Sequence, residues 1–177
     1  LAFIKYSKGT AAFYKGFLLN IHFLIAYKLK IITNQKAKEK ILEYFFDQTP
    51  LALFKQLCNS FAKEQLPSLV RPAAYAKIKQ LQEKKVKIVI VSASPENWIT
   101  SWANETGAEL IATKMQTKDG ILTGKIDGLN CYGIEKVRRI KEQYNLALFD
   151  EIYAYGDSGG DKPMLAIAHY SKMNPFH

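Results

Sequence analysis

A strand, a glycine-rich turn and the start of a helix follow one another in residues 152–165, and this stretch constrains the fold more than any other. Residues 152–155 are apolar and aromatic, which predicts a buried strand. The strand breaks at Gly156, and the turn presents Asp157 and Asp161 around further glycines. Open α/β sheets bind ligands at the carboxyl ends of their strands, and two neighbouring carboxylates suit Mg²⁺. The alternative is a helix N-cap followed by a turn.

A second buried strand is predicted by the β-branched run at residues 86–92, which is typical of a parallel strand covered on both faces. After it, Ser94 is predicted to cap a helix whose first residue is Pro95. The hydroxyl of Ser92 and free backbone N–H groups, including that of Ala93, would then lie at a helix N-terminus, a natural anion site. The alternative is that Ser92 only satisfies backbone groups of the turn, and for an isolated serine we favour it.

The elements around these strands predict an α/β protein. A helix is predicted at 72–85, a short strand at 110–114, and a hairpin whose turn is Asp119-Gly120. A further helix follows Gly133 and carries Lys136 in its first turn, where the helix dipole disfavours a cation unless an anion is near. This alternation of strands and helices predicts a Rossmann-like, doubly wound parallel sheet.

Residues 1–66 are predicted to be entirely helical, because they show no strand-like alternation. Asn34 is the predicted cap of a helix at 35–46, and Thr49-Pro50 precedes another at 51–63. We assign the many aromatic residues of this part to helix packing. For residues 17–27, which Lys28 and Lys30 follow, contact with a membrane surface is a secondary alternative.

Composition excludes some classes of function. The net charge of +9 comes from lysines spread along helical faces, which are typical of solvated surfaces, so no nucleic-acid partner is predicted. Cys58 and Cys131 fit no metal or disulfide spacing, which favours a reducing, cytoplasmic setting. The histidines, His22, His169 and His177, form no cluster in the sequence and receive no role. The sequence does not indicate an oligomeric state.

Ser92, Lys136 and the Asp157/Asp161 pair all fall at strand ends or helix starts on one predicted edge of the sheet. A hydroxyl donor, a lysine and a Mg²⁺-binding carboxylate pair together complement a phosphoryl group. The combination is far more specific than any of its members, and it predicts a site for a small phosphorylated substrate.

Three motifs carry a family resemblance: Ile-Val-Ile-Val-Ser-Ala-Ser at 88–94, Gly-Ile-Glu-Lys at 133–136 and Tyr-Gly-Asp-Ser-Gly-Gly-Asp at 155–161. They resemble those of haloacid dehalogenase superfamily phosphatases, subfamily IB, which includes phosphoserine phosphatases. The resemblance implies an α/β core at 67–177 and an α-helical cap domain at 1–66.

The resemblance also implies roles for five residues. Ser92, Ala93 and Lys136 would bind the phosphate, and Lys136 would also steady the nucleophile. Asp157 would ligate Mg²⁺, and Asp161 would either support the metal site or orient Lys136. The implied activity is Mg²⁺-dependent hydrolysis of a phosphomonoester through an aspartyl-phosphate.

The first motif of that family, Asp-x-Asp, is absent from the 177 residues. The resemblance places the strand of this motif between the strands of Ser92 and Asp157. Loss of a central strand would leave backbone groups unpaired and the core open, so we expect the motif upstream of Leu1. We also expect those two strands not to pair but to lie roughly twice 4.8 Å apart. The alternative is a non-catalytic binder of phospho-ligands. The resemblance implies that an arginine of the cap would hold the carboxylate of phosphoserine, but residues 1–66 contain no arginine, which counts against that substrate. The apolar residues 17–27 suit the alternative substrate, a lipid phosphate such as phosphatidylglycerol phosphate.

Overall fold

The first part of the chain is helical in the computed structural model, which describes residues 1–176 and leaves His177 outside. Seven helices follow one another: α1 (Ala2–Lys8), α2 (Thr10–Leu19), α3 (Ile21–Lys28), α4 (Asn34–Phe46), α5 (Leu51–Glu64), α6 (Leu66–Leu69) and α7 (Pro72–Glu83). The prediction that residues 1–66 form helices without strands is confirmed. The cap of α4 is Thr33 rather than Asn34, because the Thr33 side chain accepts the N–H of Lys36 at 3.1 Å.

Strands and helices alternate after α7. The elements are β1 (Val89–Pro95), α8 (Thr100–Glu105), β2 (Glu109–Lys118), β3 (Ile121–Asp127), α9 (Ile134–Gln143), β4 (Tyr153–Gly156), α10 (Lys162–Leu165) and β5 (Tyr170–Met173). Short 3₁₀ helices occupy Glu96–Trp98, Leu146–Leu148 and Gly159–Asp161. The predicted helix start at Ser94 and Pro95 is wrong, because both residues extend β1 and Pro95 keeps an extended ψ of 132°.

The five strands form two separate sheets. β1 pairs in parallel with β2, and β2 pairs in antiparallel with β3 across the predicted turn, where Asp119 and Gly120 both have positive φ. The second sheet contains only β4 and β5, which are parallel. β1 and β4 belong to different sheets, which confirms the expectation that they do not pair directly.

An apolar groove of about 490 Å³ separates β1 from β4. We call it the inter-sheet groove. It is lined by Val89 and Val91 of β1, by Tyr153 and Tyr155 of β4, and by Ile140 of α9 among others. Each of the two strands pairs with a neighbour on one edge only, so their other edges face this groove with the hydrogen-bonding capacity for a further strand.

The main apolar core joins the helices to the β2–β3 hairpin. Phe3 of α1 stacks on Trp98 with ring centroids 4.9 Å apart, and Met115, Leu122 and Ile126 of the hairpin belong to the same cluster. Gly124 of β3 has a φ of +69°, and a Cβ there would overlap the backbone of Glu43. α4 therefore packs directly against the backbone of β3. Within residues 1–176, the helices are all too short or too polar to cross a membrane.

Candidate active site

A cavity of about 470 Å³ opens at the carboxyl ends of β1 and β4. The cavity is lined by all five predicted site residues: Ser92, Ala93, Lys136, Asp157 and Asp161. The cavity is also lined by Arg71, Tyr132 and Ser158, for which the sequence predicted no role. The structure thus brings the predicted residues together, while the role of each one stays a prediction.

Ser92 is the last residue of β1 before its register shifts. Its Oγ accepts a hydrogen bond from the backbone N–H of Ser94 at 3.1 Å. This contact satisfies a backbone group of the turn, which is the role predicted above for an isolated serine. It leaves the hydroxyl proton free to be donated, so the same side chain can serve an anion in the cavity.

Lys136 lies in the first turn of α9, and only 6% of its side chain is exposed. Its Nζ donates to Asp161 Oδ1 at 2.6 Å and to the carbonyl of Val91 at 2.8 Å. Asp161 is therefore the anion that a cation in a first helical turn requires. The N–H of Gly133 also donates to the carbonyl of Gly160 at 3.0 Å, which joins the start of α9 to the acidic turn.

Asp161 is buried, with 8% of its side chain exposed, and both carboxylate oxygens are occupied. Its Oδ2 accepts the N–H of Asp157 at 3.2 Å and both the N–H and the hydroxyl of Ser158, at 2.9 and 2.7 Å. Burial would raise the pKa of Asp161, but the hydrogen bonds from Lys136 and Ser158 outweigh it and lower that pKa. Four donors on one carboxylate favour the role of orienting Lys136 over ligation of a metal.

The glycines of the acidic turn provide space for this packing. A Cβ on Gly156 would lie 2.5 Å from the Cβ of Asp161, and a Cβ on Gly160 would overlap the ring of Tyr132. The strand end and the cavity wall therefore approach each other more closely than any other residue type would allow.

Asp157 is exposed, and its Oδ2 lies 3.6 Å from Nη2 of Arg71. Residues 1–176 contain no group of three His, Cys, Asp or Glu side chains that could hold a metal. Mg²⁺ is usually held by one or two carboxylates together with a substrate phosphate and water. Asp157 therefore fits as one ligand of Mg²⁺, and further ligands would have to come from outside the described residues or from substrate.

A second lysine, the partly buried Lys38 of α4, approaches the site from the helical part, and the sequence did not predict it. Its Nζ donates to the carbonyl of Ala93 and, at 2.8 Å, to Oδ1 of Asn130. Burial lowers the pKa of Lys38 to about 8. Its position could have been noticed, because Lys38 falls at helical spacing on the same stripe as the buried Ile41 and Phe45.

Tyr132 connects the cavity to α3. Its ring covers Gly160. Burial raises the pKa of Tyr132, and the neighbouring Tyr27 of α3 raises it further. Neither Tyr132 nor Arg71 carried a signal in the sequence, because each reaches the cavity only through contacts between residues far apart in the chain.

Comparison with known proteins places this geometry in a family. The sequence profile of the haloacid dehalogenase-like hydrolases matches residues 2–166. Protein CicA of Caulobacter vibrioides is 36% identical over 169 residues, which are 94% of this chain and 75% of that protein.

Two solved structures are similar in fold. A protein of unknown function from Bordetella pertussis Tohama I aligns with a TM-score of 0.72 and 23% identity, over 85% of this chain and 70% of that one. A phosphoserine phosphatase, solved as a phospho-aspartyl intermediate analogue, aligns with a TM-score of 0.54 and 20% identity, over 86% and 70%. The sheet and helix arrangement is thus the α/β, Rossmann-like fold of these proteins. Together with the profile match, it shows that the chain belongs to the haloacid dehalogenase-like hydrolases.

Proposed function

We propose that this protein is a Mg²⁺-dependent phosphomonoesterase that works through an aspartyl-phosphate. The observation that carries the proposal is the convergence of Ser92, Lys136 and Asp157 on one cavity, with Lys136 held by the buried Asp161. A donor hydroxyl, a fixed ammonium group and an exposed carboxylate are what a phosphate monoester and its metal ion require.

The inter-sheet groove supports an upstream origin for the nucleophile. A strand inserted there would pair with the open edges of both β1 and β4 and end at the cavity. We propose that a segment leading into Leu1 forms this strand and carries the Asp-x-Asp motif.

In this proposal the residues of the cavity bind and orient the phosphate. The Ser92 hydroxyl and the N–H of Ala93 donate to its oxygens, and Lys136 offsets its negative charge. Mg²⁺, when bound by Asp157 and the upstream aspartate, would supply further charge neutralisation.

The chemical step is assigned to the upstream motif. Its first aspartate attacks phosphorus, the bond to the ester oxygen breaks, and the second aspartate gives that oxygen a proton. Water then cleaves the acyl phosphate and releases inorganic phosphate. The phosphoserine phosphatase of similar fold, described as a phospho-aspartyl intermediate analogue, supports this route.

We propose a small phosphomonoester as the substrate. The absence of arginine from residues 1–66 counted against phosphoserine, but Arg71 lines the cavity from outside that range and supplies a guanidinium for a substrate carboxylate. A lipid phosphate is the alternative, and the exposed apolar side chains of α2 and α3 favour it. A reducing, cytoplasmic setting is also proposed, and the buried, free thiols of Cys58 and Cys131 support it.

The test is hydrolysis of p-nitrophenyl phosphate by the native-length protein, with and without Mg²⁺. Asp157→Asn should lower turnover about a hundredfold or more, since it removes a metal ligand. The exposed Asp150→Asn is the matched control and should leave turnover unchanged. Binding of inorganic phosphate without turnover, in protein that folds normally, would contradict the enzyme and favour a phospho-ligand binder.

A further inference from the structure

Helices α2 and α3 are apolar on nearly all sides and yet are hardly buried. Gly16 is the only buried residue of α2, and α3 has none. One side of the pair packs on the core, where Phe17 meets Phe45 with centroids 6.1 Å apart. A helix that is apolar all round is normally buried on all sides, so the outward side of this pair lacks a covering surface within residues 1–176.

The outward side presents large aliphatic and aromatic side chains in close succession. We call this surface the α2–α3 face. It consists of Tyr14, Leu18, Leu19, Ile21, Ile25, Leu29 and Ile31, all of them exposed. Single exposed apolar residues are ordinary on a protein surface, whereas a cluster of this size marks an interaction site.

The charge around the face indicates what covers it. Residues 1–38 contain seven lysines and no aspartate or glutamate, and the first acidic residue of the chain is Glu39. Lys15 of α2, Lys28 at the end of α3 and Lys30 just after it are exposed. Two copies of this face would bring like charges together, which disfavours self-association. An anionic lipid surface complements both the apolar side chains and the lysines.

We propose that the α2–α3 face docks on an anionic membrane surface. Its aliphatic side chains would enter the boundary between headgroups and acyl chains, while the flanking lysines contact lipid phosphates. The face lies near the cavity, because Tyr27 of α3 is a neighbour of Tyr132, which lines the cavity wall. Docking does not depend on hydrolysis, so the two are measured separately.

The test is co-sedimentation of the native-length protein with vesicles of phosphatidylcholine and phosphatidylglycerol in a ratio of about two to one, beside phosphatidylcholine alone. Binding is expected only to the anionic vesicles, and it should weaken as salt is added. In the Leu18→Gln/Ile25→Gln variant, binding should fall about tenfold or more, since two apolar anchors become polar. Those side chains are 70% and 51% exposed, so the melting temperature should not change.

A second variant isolates the charge. Lys15→Gln/Lys28→Gln should weaken binding to the anionic vesicles about thirtyfold, since each lysine interacts separately with the lipid surface. Two control variants change the α/β region instead. Leu148→Gln replaces an apolar side chain that is 78% exposed. Lys118→Gln/Lys141→Gln replaces two exposed lysines. Both controls should bind as the unchanged protein does.

Three results would overturn the proposal: no binding to the anionic vesicles, equal binding to phosphatidylcholine alone, or equal loss in the controls. A fourth is a dimer in sedimentation velocity that Leu18→Gln/Ile25→Gln dissociates, because the face would then be an interface between two copies. None of these results bears on turnover of p-nitrophenyl phosphate, which tests the proposed hydrolase independently.

Discussion

Two lysines, the buried Lys136 and the partly buried Lys38, reach the carboxyl end of β1 from different helices, and their charges are balanced differently. Lys136 comes from α9, donates to the carbonyl of Val91, and meets the carboxylate of Asp161 at 2.6 Å. Lys38 comes from α4 and donates to the carbonyl of Ala93, but its other hydrogen-bond partner is the neutral amide of Asn130.

The difference shows how one strand end can be held rigidly and still attract an anion. The ion pair with Asp161 fixes the position of Lys136, and the two hydrogen bonds of its Nζ leave a third N–H for a phosphate oxygen. Lys38 has no carboxylate within hydrogen-bonding distance among residues 1–176, and burial lowers its pKa to about 8. Its unbalanced positive charge therefore makes the end of β1 electropositive at neutral pH.

The largest effect on stability should come from removing the negative charge that pairs with Lys136. Asp161→Asn leaves the ammonium group of Lys136 buried without a counter-charge, and we expect a loss of about 3–5 kcal/mol in the free energy of unfolding. Urea denaturation of the native-length protein measures it, with the exposed Asp127→Asn as control. The variant Lys136→Met/Asp161→Leu removes both charges and should be more stable than Asp161→Asn. Equal stability of Asp161→Asn and the control would show that the pair does not stabilise the fold.

A smaller loss should follow from removing Lys38. Lys38→Met leaves the carbonyl of Ala93 and Oδ1 of Asn130 to share the single hydroxyl proton of Thr113, whose Oγ1 lies 2.9 Å from each. One acceptor is then unsatisfied, which should cost about 1–2 kcal/mol in the same denaturation experiment. Lys36→Met changes an exposed lysine of the same helix and should cost nearly nothing. If Lys38→Met lowered the free energy of unfolding as much as Asp161→Asn does, the two lysines would not differ in their contribution to stability.

The smallest effect concerns pH. The pKa of Lys38 is about 8 in the folded protein, whereas an unfolded lysine has a pKa of about 10.4. Between these values the unfolded chain binds more protons, so the contribution of Lys38 to stability rises as pH rises. Relative to Lys38→Met, the native-length protein should gain about 1 kcal/mol between about pH 8 and about pH 9. A parallel course of the two stability curves would mean that Lys38 titrates at its ordinary pKa.

The sequence predicted one side of this comparison and missed the other for a physical reason. Lys136 and Asp161 were found because each lies beside a glycine-rich turn at the start of a helix, and such local patterns can be read along the chain. Lys38 lies in a uniform helix, and its partners Ala93 and Asn130 become neighbours only through tertiary packing.

The prediction of β1 had the same limit. A strand covered on both faces was expected, but residues 89–94 of β1 are only partly buried. The extension of β1 through Pro95 follows from pairing with Thr113 of β2, which propensity at Ser94-Pro95 does not reveal. The division into a cap at residues 1–66 and a core at residues 67–177 stays a prediction. One apolar cluster contains Phe3 from the first range and Trp98 from the second, so packing does not separate the two ranges.

The inter-sheet groove has a consequence for the order of folding. A strand that precedes Leu1, as we propose, would leave the ribosome first, but its two neighbours, β1 and β4, are made much later. Such distant pairing is slow, and until it is complete the groove exposes apolar side chains between two open sheet edges. Open edges of this kind pair readily with other chains. The groove that would accommodate the proposed nucleophile strand is therefore also a place where the protein is prone to misassembly during synthesis.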